Sequence, residues 1–241
     1  MDKKLYPINE GPLNIPAERL KRVYRFLSQI ERTMEGLKVE GVIGLLEFLD
    51  KIKKFESIDL AEKDDPTALM CKFIYDDHTS HEAWTETHST YLLIITLNMA
   101  KFVHCKRVPD KRKYVVTDIY WTDFYSTFMH EYAHVMQIYK SNPDVLNPIS
   151  SKKPYFDNPH EQQAWAEGYL EQLRHKLKTT NPKELLANLR AHGIFHDRDL
   201  RDLKKDDYEA WKKIMKQAIM SALSGIKDKE SLPWQKDKKV P

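Results

Sequence analysis

The sequence predicts a mainly helical α+β fold in which a small mixed sheet is flanked by helices. Two observations support this fold class. The chain of 241 residues contains only 7 Gly and is rich in Lys, Glu and Leu, a composition that favours helix. Residues 69–120 differ, because they are rich in β-branched and aromatic residues and are interrupted by polar turns. A chain of this length can build a substantial core, so we predict a single domain over residues 1–241.

Two helices are predicted before the strands. The first covers residues 16–37, where Pro16 suits a first turn and apolar residues recur at helical spacing. The second covers residues 39–54 and also carries an apolar stripe. The stripes consist of Leu20, Val23, Leu27, Ile30 and Met34 in the first helix, and of Val42, Leu45, Leu46, Leu49 and Ile52 in the second. Both are typical of core packing, and residues 61–68 have the composition of a loop.

Three or four strands are predicted from the segments MCKFIYDD, THSTYLLIITLN and RKYVVTDIYW. Helical periodicity returns afterwards, at residues 122–140, about 159–178, 182–192 and 206–224, with a proline-rich loop at 141–159. The tail KDKESLPWQKDKKVP is polar and is expected to be loose. The core of the domain is therefore expected at about 69–178, between a helical part at 1–68 and a second helical part with a polar tail at 179–241.

Charge and cysteine content exclude several classes of protein. The net charge is +3, with 39 basic and 36 acidic residues, which argues against a dedicated nucleic-acid binder. Two distant cysteines, Cys71 and Cys105, are too few for a disulfide framework and indicate free thiols in a reducing compartment. The N-terminus lacks the apolar region of a signal peptide, and the longest apolar run is half a membrane span. We expect a cytoplasmic protein without a membrane partner, or a host-cytoplasmic or virion-associated one if a phage encodes it.

The segment FMHEYAHVMQ contains an H-E-x-x-H motif, formed by His130, Glu131 and His134. Residues four apart lie on one face of a helix, so both imidazoles can reach one metal ion. Glu131 follows the first histidine and can approach the open position of the metal, where a water molecule has a pKa of about 7. The motif lies on an amphipathic helix after a β-rich segment. It therefore predicts one Zn²⁺ ion, with Glu131 as general base.

The residues alone leave the third metal ligand open. The candidates are Asp157, His160, Glu161 and Glu167, which lie in the segment YFDNPHEQQAWAEGYLEQ. Glu161 has an alternative role, because Asn158, Pro159 and Glu161 fit an N-cap, a first-turn proline and a capping-box glutamate.

The segments HEYAHVMQ and NPHEQQAWAEGYL resemble HExxH metallopeptidase-like proteins of bacteria and phages, in which H-E-x-x-H-x-x-Q is followed by N-P-x-E-x-x-A. They are also distantly similar to the ImmA/IrrE-type peptidase domain. The resemblance covers residues 88–175 and implies a minimal zincin fold of the gluzincin type, with Glu161 as third zinc ligand and Ala164 as a small residue between two helices. It implies a hydrolase that cleaves peptides or proteins. The ImmA/IrrE pattern F-A-x-x-L-L-x-P is replaced by EGYLEQLR and no helix-turn-helix is evident, so that family's regulatory role does not carry over.

The same resemblance suggests where a substrate would bind. In zincins the strand beside the active-site helix is usually a sheet edge that pairs with an extended peptide. Residues 88–98, with Tyr91, Leu93 and Ile95, are the candidate, and an ordinary core strand is the alternative. A transition-state oxyanion also needs a donor. Tyr155, His160 and Tyr169 lie near the third ligand in sequence, and the sequence does not choose among them.

Other interpretations remain open at this stage. The segment DDHTSHE could bind a second metal through Asp76, His78, His81 or Glu82, although a solvated polar hairpin is favoured. The chain could instead be a non-catalytic protein stabilised by zinc, such as a virion component, or a nucleic-acid accessory factor that uses its lysine-rich tail. Retention of Glu131 favours the enzyme, since a structural zinc site has no use for a base.

Overall fold

The computed structural model describes residues 13, 15–39, 43–56, 68–89, 92–108, 113–141, 156, 158–179, 181–192 and 203–227. It is mainly helical and contains a small mixed sheet, as predicted. The predicted loose tail, the loop at 61–67 and most of the proline-rich loop lie outside these residues.

The two N-terminal helices are α1, Ala17–Val39, and α2, Leu45–Ile52, which continues into a 3-10 turn at Lys53–Phe55. The predicted stripe of α1 is confirmed, since Val23, Leu27, Ile30 and Met34 are buried. The start of α2 is later than predicted. Gly44 is extended and bridges Val115, while the Val116 N–H donates to the Ile43 carbonyl at 3.0 Å. These extended residues cannot also be helical.

Five strands, rather than three or four, are found within the described residues, and they form two sheets. The first contains β1, Ala68–Ile74, β2, Ala83–Ser89, and β3, Leu92–Asn98, in the order β1-β3-β2. β1 is parallel to β3 and β2 is antiparallel to it. The second is an antiparallel pair of β4, Val103–Val108, and β5, Lys113–Ile119. β4 was missed because half of its sequence, VHCKRV, consists of exposed polar residues.

The segment between β1 and β2 is not the hairpin that the sequence suggested, because these two strands do not pair. Instead, the connection passes over the end of β3. The fully buried Asn98 fixes it: its side chain accepts from the Asp76 N–H at 3.0 Å and donates to the carbonyls of Asp76 and His81 at 2.7 and 3.1 Å.

Four longer helices follow the strands, close to the predicted bounds. They are α3, Trp121–Ser141, α4, Pro159–Leu177, α5, Pro182–His192, and α6, Tyr208–Lys227. No helix among the described residues is both long and apolar enough to span a bilayer.

Two clusters of buried apolar side chains meet along α4. The first unites the N-terminal helices, the sheets and α3, and it includes Ala164 of α4. The second lies between α4, α5 and α6. α3 and α4 approach most tightly at Gly168, where a Cβ atom would lie 2.9 Å from the Ser126 carbonyl oxygen. The Ser126 hydroxyl donates to the Gly168 carbonyl at 2.9 Å. This close crossing brings the middle of α3 against the start of α4.

Candidate metal centre

His130 and His134 lie one turn apart on α3 and face Glu161 in the first turn of α4. The two Nε2 atoms are 3.2 Å apart, and each lies 3.5 Å from Glu161 Oε2. Three ligand atoms of a tetrahedral zinc ion, each about 2.0–2.2 Å from the metal, are separated by about 3.3–3.6 Å. The triangle therefore has the dimensions that such an ion requires.

The chemistry of these atoms also fits a metal. Glu161 Oε2 is buried and has no hydrogen-bond partner among the described residues, an arrangement that is costly unless a cation or proton is shared at this point. The three side chains are 13–21% exposed, so the site is sheltered but can be reached from solvent. This group could hold a metal ion, and a search of the described residues finds no second group of this kind.

Among the described residues, the group that could hold a metal ion includes Glu161 and none of the other sequence candidates. Asn158 is the N-cap of α4, and its side chain accepts from the His160 N–H at 3.0 Å, with Pro159 in the first turn. The Glu161 carboxylate faces the two histidines, which supports its role as a ligand over the capping-box alternative. Glu167 is buried elsewhere and accepts a hydrogen bond from Ser221. Asp157 lies outside the described residues.

Burial and mutual attraction act against each other in this group. Burial alone would raise the pKa of Glu161, but the His130 and His134 imidazoles beside its carboxylate outweigh burial and hold that pKa well below the usual range. Burial would lower the pKa of His134, yet contact with Glu161 raises it. In the absence of metal, the Glu161 carboxylate therefore favours the protonated form of the His134 imidazole. Metal ions and protons compete for the same atoms.

Glu131, the predicted general base, is held by a residue of the sheet. It is 7% exposed, and the Thr85 hydroxyl of β2 lies 2.7 Å from its Oε2 atom and 3.2 Å from its main-chain oxygen. Its Oε1 atom accepts no hydrogen bond from the described residues. The carboxylate is thus anchored through one oxygen, while the other can accept a proton.

Gln137, one turn beyond His134, is buried and connects the two helices of the site. Its side-chain oxygen lies 2.9 Å from His134 Nδ1, and its amide nitrogen donates to the His160 carbonyl at 2.8 Å and to Gln163 Oε1 at 3.2 Å. It therefore contacts a metal-ligating side chain on α3 and the main chain beside Glu161 on α4.

Of the two described candidates for an oxyanion donor, His160 and Tyr169, His160 lies beside the metal-ligand group. His160 is half-buried, and its pKa is lowered by burial and by the nearby charge of His134. Its Nδ1 atom is buried without a hydrogen-bond partner among the described residues. Tyr169 is buried in the cluster between α4, α5 and α6, and its role as a donor stays a prediction. Tyr155 lies outside the described residues.

The prediction that residues 88–98 form an edge strand was wrong for Leu93 and Ile95. Leu93 and Ile95 are fully buried on β3, which is the central strand and pairs with β1 on one side and β2 on the other. A strand paired on both sides cannot add a peptide, so the core-strand alternative holds for these two residues. Tyr91 is outside the described part of the chain. The edge strand that contacts the site is β2, through Thr85.

Sequence reasoning missed the roles of Thr85 and Gln137. Gln137 could have been found, because it stands three residues after His134 and so shares its face of the helix. Thr85 gave no signal, since only the pairing of β2 with β3 brings it to α3. Residues 76–82, the possible second metal site, form the loop over β3, and His78 there is 96% exposed.

Comparison with known proteins adds no relative. No protein-family model matches the chain, and neither a search of curated proteins nor a search of solved structures finds a match. The resemblance to HExxH metallopeptidases thus depends on the two motifs and on the geometry around His130, His134 and Glu161.

Proposed function

We propose that this chain is a zinc-dependent metallopeptidase with a minimal zincin fold. The observation that carries the proposal is the convergence of His130, His134 and Glu161 on one point, with ligand-atom separations of 3.2–3.5 Å. Two imidazoles and one carboxylate are the ligand set of many catalytic zinc sites, in which a fourth position stays open for water or substrate. Glu131, next to the first ligand, supplies a general base, which a purely structural zinc site does not need.

Each residue has a defined role in this proposal. Bound zinc would supply a Lewis acid that activates water near neutral pH. Glu131 accepts the proton of the attacking water on Oε1 and later delivers it to the leaving amine, while Thr85 holds Oε2. His160 is our candidate for the donor to the oxyanion, because it lies close enough to interact with both His134 and Glu161.

The sheet supports a proposal for the substrate class. β2 pairs with β3 on one side only among the described strands, and its Thr85 contacts the general base. The other edge of β2 offers backbone groups to an extended peptide, which would place a peptide bond beside the metal centre. We therefore propose a peptide or an unfolded protein segment as substrate.

The first prediction tests the enzyme with Glu131→Gln. This change keeps the size of the side chain and its contact with Thr85 but removes the base, so the variant should bind one zinc ion per chain and lose peptide cleavage by about 10²–10⁴-fold. Zinc is measured by elemental analysis and cleavage by digestion of a peptide library. Glu47→Gln, which changes an exposed glutamate on α2, is the matched control and should cleave like the original protein.

Each outcome has a distinct meaning. Purified protein without a transition metal would overturn the metal site itself. Full cleavage by Glu131→Gln would assign the base to another group or the activity to a contaminant. Zinc-loaded protein that cleaves neither library peptides nor unfolded proteins would favour the alternative, a non-catalytic protein stabilised by zinc.

A further inference from the structure

We infer that Gln137 is a positioning residue for the metal centre: it fixes His134 in the tautomer that presents Nε2 to the metal, and it holds the first turn of α4 in place. The inference rests on the proposed zinc site, but not on peptide cleavage. Its side chain bonds both a candidate metal-ligating side chain and the main chain next to Glu161.

The orientation of the Gln137 amide follows from its neighbours. Its nitrogen faces two acceptors, the His160 carbonyl at 2.8 Å and Gln163 Oε1 at 3.2 Å. An amide nitrogen only donates, and an amide oxygen only accepts. The oxygen must therefore be the atom that faces His134 Nδ1 at 2.9 Å.

This orientation decides where the proton of a neutral His134 resides. Because Gln137 Oε1 can only accept, Nδ1 must carry the hydrogen and donate it. The lone pair then lies on Nε2, the atom 3.5 Å from Glu161 Oε2 and 3.2 Å from His130 Nε2. In the opposite tautomer, Nε2 would carry a hydrogen at the position of the metal, and Nδ1 would face another acceptor. The buried position of Gln137, 4% exposed, removes water as a substitute partner.

The same side chain sets the distance between the two helices of the site. Its amide nitrogen bonds the carbonyl of His160, the residue directly before Glu161. A shift of the first turn of α4 away from α3 would break this bond and move the carboxylate away from the imidazoles. Partners that orient metal-ligating histidines typically contribute about 10–100-fold to metal affinity.

Two substitutions separate this role from simple packing. Gln137→Leu removes the acceptor and the donor, so the dissociation constant for Zn²⁺ should rise about 10–100-fold. Gln137→Glu keeps an acceptor for His134 but places a second oxygen against the His160 carbonyl. It should lower the unfolding temperature of the metal-free protein and weaken zinc binding less than Gln137→Leu does, because the acceptor for His134 remains. The control is Gln172→Met, which removes a different buried glutamine, on α4. It should leave zinc affinity unchanged.

The measurements are competition titrations with a chromophoric chelator, together with the visible absorption spectrum of the Co²⁺-loaded protein, which reports ligand geometry. Equal weakening by the Leu and Glu variants would assign Gln137 to helix packing alone and overturn the inference. Undiminished affinity in Gln137→Leu would also overturn it. If the original protein binds no zinc, the proposed function fails first, so the two failures are distinguishable.

A direct measurement does not depend on any variant. Long-range ¹H–¹⁵N correlation spectra of the metal-free protein at pH 8 distinguish the two tautomers of each histidine. His134 should be protonated on Nδ1. Protonation on Nε2 would contradict the inference, whatever the variants show.

Discussion

At the scale of single residues, the metal centre is a group whose charges are balanced only when an ion or a proton is present. Glu161 is mostly buried, and without metal its carboxylate depends on two imidazoles for compensation. Its pKa is held low by His130 and His134 in spite of burial, and the pKa of His134 is raised in return. These opposite shifts define how the stability of the metal-free protein depends on pH.

The lowered pKa of Glu161 contributes stability above the unfolded value of about 4.3, and this contribution is lost as pH falls through the folded pKa. The raised pKa of His134 contributes stability below the unfolded value of about 6.5, and this is lost as pH rises through the folded pKa. Both are present between about pH 4.3 and 6.5. In chelator-treated protein, Glu161→Gln should therefore lower the unfolding temperature most in this window and less at pH 8. A constant difference from pH 5 to pH 9 would contradict the ion pair.

Zinc binding reverses this pH dependence, because the ligands of zinc must be deprotonated. The zinc-loaded protein should gain stability as pH rises from 5 to 8, while the metal-free ion pair weakens. Competition between zinc and protons extends above pH 6.5, since the pKa of His134 is raised.

What the sequence reveals at this scale follows from distance along the chain. His130, Glu131 and His134 are predictable because helical spacing alone brings them together. Glu161 required a resemblance, because sequence cannot tell a capping glutamate from a ligand when both occupy the first turn of a helix. Thr85 comes from a strand whose pairing sequence does not encode locally. In the sequence, Gln137 looks like any other polar residue, because only its contacts in the folded chain reveal that it is the buried partner of His134.

At the scale of secondary-structure elements, the site depends on the crossing of α3 and α4. A Cβ atom at position 168 would lie 2.9 Å from the Ser126 carbonyl oxygen and 3.4 Å from the His130 Cβ atom, so only glycine allows this close approach. The contact is made by main chain on one side, so it cannot relax by rotation of a side chain.

The prediction at this scale is that Gly168→Ala separates the two helices. The added methyl group forces α4 away from Ser126 and His130, which should cost about 1–3 kcal/mol of stability even though alanine favours helix. Because the shift moves Glu161 relative to the histidines, zinc affinity should fall as well. Denaturant unfolding and chelator competition measure the two effects.

Gly36→Ala is the matched control for this change. Gly36 is an exposed residue within α1, and a Cβ atom there would meet nothing within 4 Å. Its replacement should stabilise the protein by up to about 1 kcal/mol through helix propensity alone. Equal stabilisation by both changes would show that the crossing is loose.

Helices were easier to predict than strands for a physical reason. The 3.6-residue period is read within one helix, and the bounds of α3, α4 and α5 agree with the sequence to within a residue or two. Strand partners lie far apart in sequence. β1 pairs in parallel with β3, although β2 lies between them in sequence. Neither the central position of β3 nor the free edge of β2 therefore follows from composition. The error in the edge strand has this origin.

At the scale of the whole molecule, α4 is shared by both apolar clusters and also carries Glu161 of the group that could hold a metal ion. Its polar residues beyond Glu161 are largely buried and bond to distant helices. The Tyr24 hydroxyl of α1 donates to Glu171 at 2.5 Å, and Arg174 lies 3.3 Å from the same carboxylate oxygen and 3.1 Å from the Tyr24 oxygen. Ser221 of α6 donates to Glu167. These contacts orient α4 between the N-terminal and C-terminal helices.

The last prediction concerns the charge balance of this buried network. Arg174→Met leaves the carboxylate of Glu171, 2% exposed, without its cation, and removal of one partner of a buried pair costs about 3–5 kcal/mol. The double variant Arg174→Met/Glu171→Leu should recover much of this loss, since no buried charge then remains unpaired. Lys212→Met removes an exposed ion pair of the same i,i+3 spacing, with Glu209, and should leave the denaturant midpoint unchanged. If Arg174→Met were as mild as Lys212→Met, the network would not hold α4 in place. A double variant weaker than Arg174→Met would instead show that Glu171 stabilises the fold through Tyr24 alone.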